Sequence, residues 1–324
     1  MNMNRMPSAV LGFAILSAAA QAGTLVKTID LAPRARPESI TKGWGGKYYV
    51  SIQGAAGDTT TADGEIVQVD VVTGTVTSFV PAGKGLVNPR GLAFTGELLV
   101  ATDTTNVWKI DAKGNVSLAA PASAYPFPPV FLNDAAPEAG GRAVFVTDMG
   151  AGRNVQRDPS AFLWPTDSTQ AEAIPAESRV YRISLADGKV TNVFTPSRKA
   201  LILNGVTESR RAKGRLLVLD FFNGTVVEVD PATDTKTILA AGPFRGGDAV
   251  EEASDGTLYV DSFENGRVWR MDRNGENAQK LFDVAVDQGI SGRQTLADLA
   301  LDEDAGMLYV PDTANSKILV LKIR

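Results

Sequence analysis

Six short segments spread along the chain set a polar or charged side chain among apolar or small neighbours: Pro37-Glu38, Pro89-Arg90, Leu132-Asn133-Asp134, Leu203-Asn204, Gly247-Asp248 and Ala297-Asp298. Of these, Glu38, Asn133, Asn204 and Asp248 offer only oxygen donors, two anionic and two neutral. Such a set suits a hard cation with a flexible oxygen shell, Ca²⁺ above all, with water completing the coordination. A divalent ion would also relieve the repulsion between carboxylates gathered out of water. Taken singly, each residue reads more simply as a strand-start cap bonding the backbone; their recurrence at equivalent positions favours the cation site. Arg90 suits a substrate carboxylate or phosphoryl oxygen, or equally a charge balance against Glu38 or Asp298.

Other chemistries are excluded by composition. The chain has no His and no Cys, so imidazole- and thiol-based nucleophilic catalysis, His/Cys zinc sites and disulfides are all ruled out. With 32 basic and 37 acidic residues the net charge is −5, which argues against a nucleic-acid partner.

These residues have to be positioned by a repeat. One strand-like series reads YYVSIQ, LLVATD, VFVTDM, LLVLDF, LYVDSF and LYVPDT, with its third positions at Val50, Val100, Val146, Val218, Val260 and Val310. A second series follows within a few residues of each: EIVQVD, NVWKID, RVYRIS, TVVEVD, RVWRMD and KILVLK. Both alternate with the period of strands. Turn clusters rich in Gly, Asn, Asp and Pro end the first five units, and a further strand follows each, as in VTSFV and KTILA. A unit of about 45 residues with four strands matches one blade of a β-propeller. Six units predict an all-β, six-bladed propeller with four-stranded blades. Because the sixth unit ends after its third strand, residues 24–31 (TLVKTIDL) should supply the missing outer strand and close the ring. In this architecture the six polar segments begin the innermost strands and converge on the central channel.

The N-terminus reads as a cleavable signal peptide over residues 1–22: Arg5, an apolar run from Ala9 to Ala20, and the small-x-small pattern Ala20-Gln21-Ala22. That predicts a single propeller domain over residues 23–324, periplasmic or secreted, with no membrane span. A monomer acting on a small molecule is expected. The long gap between Val146 and Val218 localises an inserted loop at about residues 150–177. It carries Phe162, Leu163 and Trp164, which read either as an apolar lid over the channel mouth or as a satellite cluster pinning the loop.

The segments RPESI at 36–40, FLND at 131–134, LNGV at 203–206 and GGDAVEEASDGTLYV at 246–260 resemble the senescence marker protein, gluconolactonase and diisopropyl fluorophosphatase superfamily of calcium-dependent six-bladed propellers. The resemblance spans the chain after the leader and is carried by the ordered set of short motifs. It implies Glu38, Asn204 and Asp248 as metal ligands, Asn133 as a further ligand or a substrate-orienting amide, and Asp248 as the base or nucleophile of a hydrolysis. There are two departures. Sugar-lactonase members have an Arg two residues before the Asn of the N-D pair, where this chain has Phe131; paraoxonase-like members use channel histidines, and this chain has none. The expected activity is a calcium-dependent lactonase or esterase whose substrate contacts include Asn133, Arg90, Asp298, Phe131 and Trp164. The alternative is a non-catalytic propeller of the NHL type binding a protein or glycan. Its P-x-G blade opening occurs here only at Pro89-Arg90-Gly91. A strictosidine-synthase-like condensing enzyme shares the fold but would need a channel Glu acting as acid and base.

Overall fold

The computed structural model describes residues 23–55, 60–157 and 162–323; the signal peptide read over residues 1–22 lies outside the described residues. Among them, six antiparallel four-stranded sheets form the six blades of a propeller, and a two-stranded ribbon stands apart. The innermost strands are Pro37–Lys42, Pro89–Phe94, Leu132–Pro137, Leu203–Glu208, Gly247–Glu252 and Ala300–Asp302. Burial is greatest in the second strand of each blade. The second strands Tyr48–Ile52, Leu99–Asp103, Ala143–Asp148, Leu216–Asp220 and Leu258–Ser262 are buried at every residue, because neighbouring blades cover both faces. The outer strand Thr75–Val80 is largely exposed.

The core is a series of seams rather than a central mass. Successive side chains of a strand point to opposite faces, so Tyr48 and Val50 pack with Tyr309 and Val320 of the sixth blade, while Tyr49 and Ile66 pack with Leu92 and Leu99 of the second. The same alternation fills the remaining four seams, for example Val100 against Val146, Phe145 against Val218, Leu219 against Val260 and Tyr259 against Val310.

Thr24–Asp30 completes the last blade, pairing antiparallel with Lys317–Lys322 in a register from Thr24 opposite Lys322 to Asp30 opposite Lys317. Ile29 and Leu31 are buried in the seam between the sixth and first blades. No helix among the described residues is long and apolar enough to cross a membrane.

The inserted segment is seated rather than free. It carries the short helix Thr169–Ala173, capped by Ser168 Oγ accepting from Ala171 N–H (3.2 Å), and a ribbon of Gln156–Arg157 with Phe162–Leu163. Val155, Ala171 and Ile174 are buried against Met149, Ile202 and Phe222. Arg198 ties the segment down through the carbonyls of Ile174 (2.6 Å) and Ala171 (2.8 Å).

Because the seam between first and last blades depends on the N-terminal strand, Ile29→Ala should cost about 2–5 kcal/mol. A chain beginning at Ala32 should lose cooperative thermal unfolding, since the sixth sheet would expose an unpaired edge. Near-native melting of both would contradict this closure.

Candidate functional site in the channel mouth

Five of the innermost strands share one irregularity at their start. The pairing register slips between Pro37 and Ile40, Pro89 and Leu92, Leu132 and Ala135, Leu203 and Val206, and Gly247 and Val250. A bulge kinks the strand and re-aims its side chains, and here it turns successive residues toward the axis at two heights. The second residues, Glu38, Arg90, Asn133, Asn204 and Asp248, all line one cavity of about 440 Å³ at one end of the channel. The residues after them face further along: Asp134 lines a second cavity of about 300 Å³ toward the other end.

The sixth blade is offset by one residue from the sequence reading. Ala297 occupies its place in the ring, while Asp298 lines the second cavity with Asp134. Asp298 sits in the left-handed region (φ 54°) and its strand begins only at Ala300; Asp tolerates this conformation better than most residues.

The ring is crowded and dry. Asp248 is 7% exposed; its Oδ1 accepts from the Asn204 amide and its Oδ2 from the Asp298 backbone N–H (2.9 Å). Burial pushes its carboxyl up to about 6, against the pull of those hydrogen bonds and of Arg90. Glu38 is 5% exposed, and burial pushes it up to about 8, with Arg90 opposing and Asp248 and Asp298 adding repulsion. Arg90 Nη1 lies 3.4 Å from Glu38 Oε1 and its guanidinium stacks on the Phe131 ring, 4.5 Å from the centroid. The charge balance foreseen for Arg90 is therefore struck with Glu38. Asn133 Nδ2 donates to Met149 Sδ (2.9 Å), so its carbonyl oxygen is the atom available to a cavity ligand.

Trp164 does not line the cavity. It packs with Leu163 against the cluster of Met149, Phe221 and Phe222, and its carbonyl accepts from Arg245 Nη2 (2.7 Å). Among the described residues the insertion lines the cavity only at Gly152, while Leu163 and Trp164 back the apolar wall formed by Phe131, Met149, Phe221 and Phe263. Sequence reasoning missed four polar wall residues, Arg36, Gln53, Gln294 and Thr313. Arg36 is half-buried at φ 61°, donates to Ala55 O (3.2 Å), and has its pKa lowered by burial and by Arg90. A recurring clamp was also missed. Asp103, Asp148 and Asp220 end the second strands of their blades and accept from the segments leading into the inner strands: Val87 and Asn88 N–H (2.8 and 2.9 Å), Val130 and Phe131 N–H (2.9 Å each), and Leu201 and Ile202 N–H (2.7 and 3.2 Å). These bonds fix where Arg90, Asn133 and Asn204 begin.

The donor chemistry fits a hard cation under one condition. Among the described residues no group of three or more Asp or Glu side chains could hold a metal unaided, so the amide oxygens of Asn133 and Asn204 must complete the set with Glu38 and Asp248. For Asn204 this needs an amide flip, because its nitrogen now faces Asp248.

No family model matches the chain, and no curated protein does at a significant level. Among solved structures it is similar to a gluconolactonase from Xanthomonas campestris, at 17% identity and TM-score 0.61, over 92% of this chain and 89% of that one. It is also similar to a chain of a nidogen/laminin complex, at 13% identity and TM-score 0.55, over 74% of this chain and 77% of that one. Both likenesses are of fold. At these identities they agree with the six-bladed architecture and leave the chemistry to the residues of the channel.

The raised carboxyls make a prediction with a definite sign. In the folded chain Glu38 and Asp248 keep protons to about 8 and about 6, and Asp298 and Glu251 to about 7, which the unfolded chain releases near pH 4. Stability without divalent ions should therefore fall as pH rises from 5 to about 9. Calcium bound by ionised Glu38 and Asp248 should raise Tm, and more at pH 8.5 than at 5.5. A Tm indifferent to calcium across this range would speak against the cation site.

Proposed function

We propose that this protein is an exported, calcium-dependent hydrolase of esters or lactones, working in the channel mouth. The observation that carries the reading is the ring itself: oxygen-bearing side chains from four blades, Glu38, Asn133, Asn204 and Asp248, brought by equivalent bulges into one cavity beside an apolar wall. That a Xanthomonas campestris protein of this fold is a gluconolactonase supports it.

Glu38, Asn204 and Asp248 would hold the cation, with Asn133 as a further ligand or an amide that orients the substrate. When bound, a divalent ion supplies Lewis-acid polarisation of the substrate carbonyl. The remaining work falls to the chain. Asp248 takes the proton from the attacking water. The N–H of Asp298 holds one oxygen of that carboxylate, and turning the Asn204 amide frees the other. Arg90 holds Glu38 in the ring, and Phe131, Met149, Phe221 and Phe263 keep bulk water from the reacting face.

Two variants separate base from ligand. Asn204→Ala should weaken calcium affinity and lose activity that excess calcium partly restores. Asp248→Asn should lower kcat by roughly 10²–10⁴-fold with no rescue at saturating calcium. Turnover of lactones, aryl esters and phosphotriesters with calorimetry of calcium binding tests both. Equal rescue of the two variants would reduce Asp248 to a ligand. Tight calcium binding with no turnover by the native chain would favour a partner-binding propeller.

A further inference from the structure

The walls of the same cavity are chemically divided. On the side of the first two blades stand Arg36, Gln53 and Arg90; on the side of the third to fifth blades stand Phe131, Met149, Phe221 and Phe263. Neither guanidinium is fully used by the fold. Among the described residues Arg36 makes one hydrogen bond, to the Ala55 carbonyl, and no salt bridge, with Glu38 and Asp63 as the opposite charges around it. It is also held in a left-handed conformation that non-glycine residues seldom keep without cause. Beyond its stack on Phe131, Arg90 makes one 3.4 Å contact, to Glu38, and its buried Nε has no partner among the described residues. Beside them Gln53, 3% exposed, has an Oε1 without a partner among the described residues. Buried polar atoms are normally satisfied, so an unmet donor at Arg90 and an unmet acceptor at Gln53 on a cavity wall point to a ligand.

We propose that the cavity selects substrates that carry a carboxylate as well as the scissile ester or lactone: the carboxylate lies between Arg36 and Arg90, and an aryl or alkyl portion packs on the phenylalanine wall. This rests on the reading of Glu38 and Asp248 as cation ligands, for a cation there takes up their charge and leaves both arginines unbalanced. Guanidinium groups stay charged at any working pH and match the planar fork of a carboxylate. A neutral sugar lactone would leave them unpaired and meet Phe131 in place of a polar partner.

The test uses binding rather than turnover. In calcium-saturated native protein, calorimetry with 4-phenylbutyrate and with its uncharged amide should show the acid binding tighter by roughly ten-fold or more. Arg36→Gln should remove most of that difference without moving affinity for the amide, and Arg36→Lys should keep part of it. Phe263→Ala should weaken both probes alike. Arg36 makes only a backbone-carbonyl bond at the rim, so an unchanged Tm should show that its variants are folded. Acid and amide binding equally, Arg36→Gln weakening both alike, or neither probe binding would each overturn the proposal. Turnover of neutral esters in the same preparation judges the hydrolase reading separately, since discrimination between the probes without turnover would keep the carboxylate site and sink the hydrolase.

Discussion

Everything in the channel follows from how closely six inner strands approach one axis. At the height of the bulges each seam between blades is closed by a short polar bond or by the absence of a side chain. Ser39 Oγ accepts from Leu92 N–H (2.9 Å) between the first and second blades and donates to Asp298 between the first and sixth. Asp134 Oδ2 accepts from Val206 N–H (2.7 Å) between the third and fourth, and Asp248 Oδ2 from Asp298 N–H between the fifth and sixth. The two remaining seams need glycine: a Cβ on Gly91 would stand 2.5 Å from Asp134 Cα, and one on Gly205 2.6 Å from the Asp248 carbonyl oxygen. The belt satisfies inner-strand N–H groups that a kinked ladder leaves open, and it does so with carboxylates taken out of water.

That choice sets the electrostatics of the site. Desolvation is the largest cause of the upward shifts of Asp134, Asp248 and Asp298, and hydrogen bonds from the belt only moderate them. The raised carboxyls are thus a consequence of closing a ring, which every propeller of this packing must do. Chemistry is added by what stands one residue earlier: where the belt carries Ser39, Gly91, Asp134, Gly205, Ala249 and Asp298, the mouth carries Glu38, Arg90, Asn133, Asn204, Asp248 and Ala297.

The blades were legible because a period repeated six times in one chain acts as its own control, and the closing strand because one unit lacked its fourth member. Polar residues at strand starts were legible for the same reason. The offset at Asp298 was not, since a bulge and a left-handed residue leave alternation undisturbed while moving a side chain to another height. The clamp by Asp103, Asp148 and Asp220 stood in plain view in LLVATD, VFVTDM and LLVLDF, where a period-2 reading treats a terminal Asp as a turn residue. Arg36, Gln53 and Thr313 flank strands rather than begin them and Gln294 lies in a loop, and only the packing of blades brings such rim residues together. The apolar insertion read either as a lid or as a pinning cluster, and sequence does not say whether apolar residues roof a cavity or support its wall.

Three aspartates stand on the axis beside Glu38, and their partners distinguish them. Both oxygens of Asp134 are committed to backbone donors, Ala135 N–H and Val206 N–H. Asp298 is tied to its neighbour's N–H at Leu299 and to Ser39, and it looks into the other cavity. Asp248 gives one oxygen to the belt through Asp298 N–H, but its other oxygen is held by the side-chain amide of Asn204, which can turn without moving the backbone. Turning that amide frees a carboxylate oxygen toward the cavity and presents Asn204 Oδ1 beside it. Of the three aspartates on the axis, Asp248 is therefore the one that can change partners while the ring stays closed.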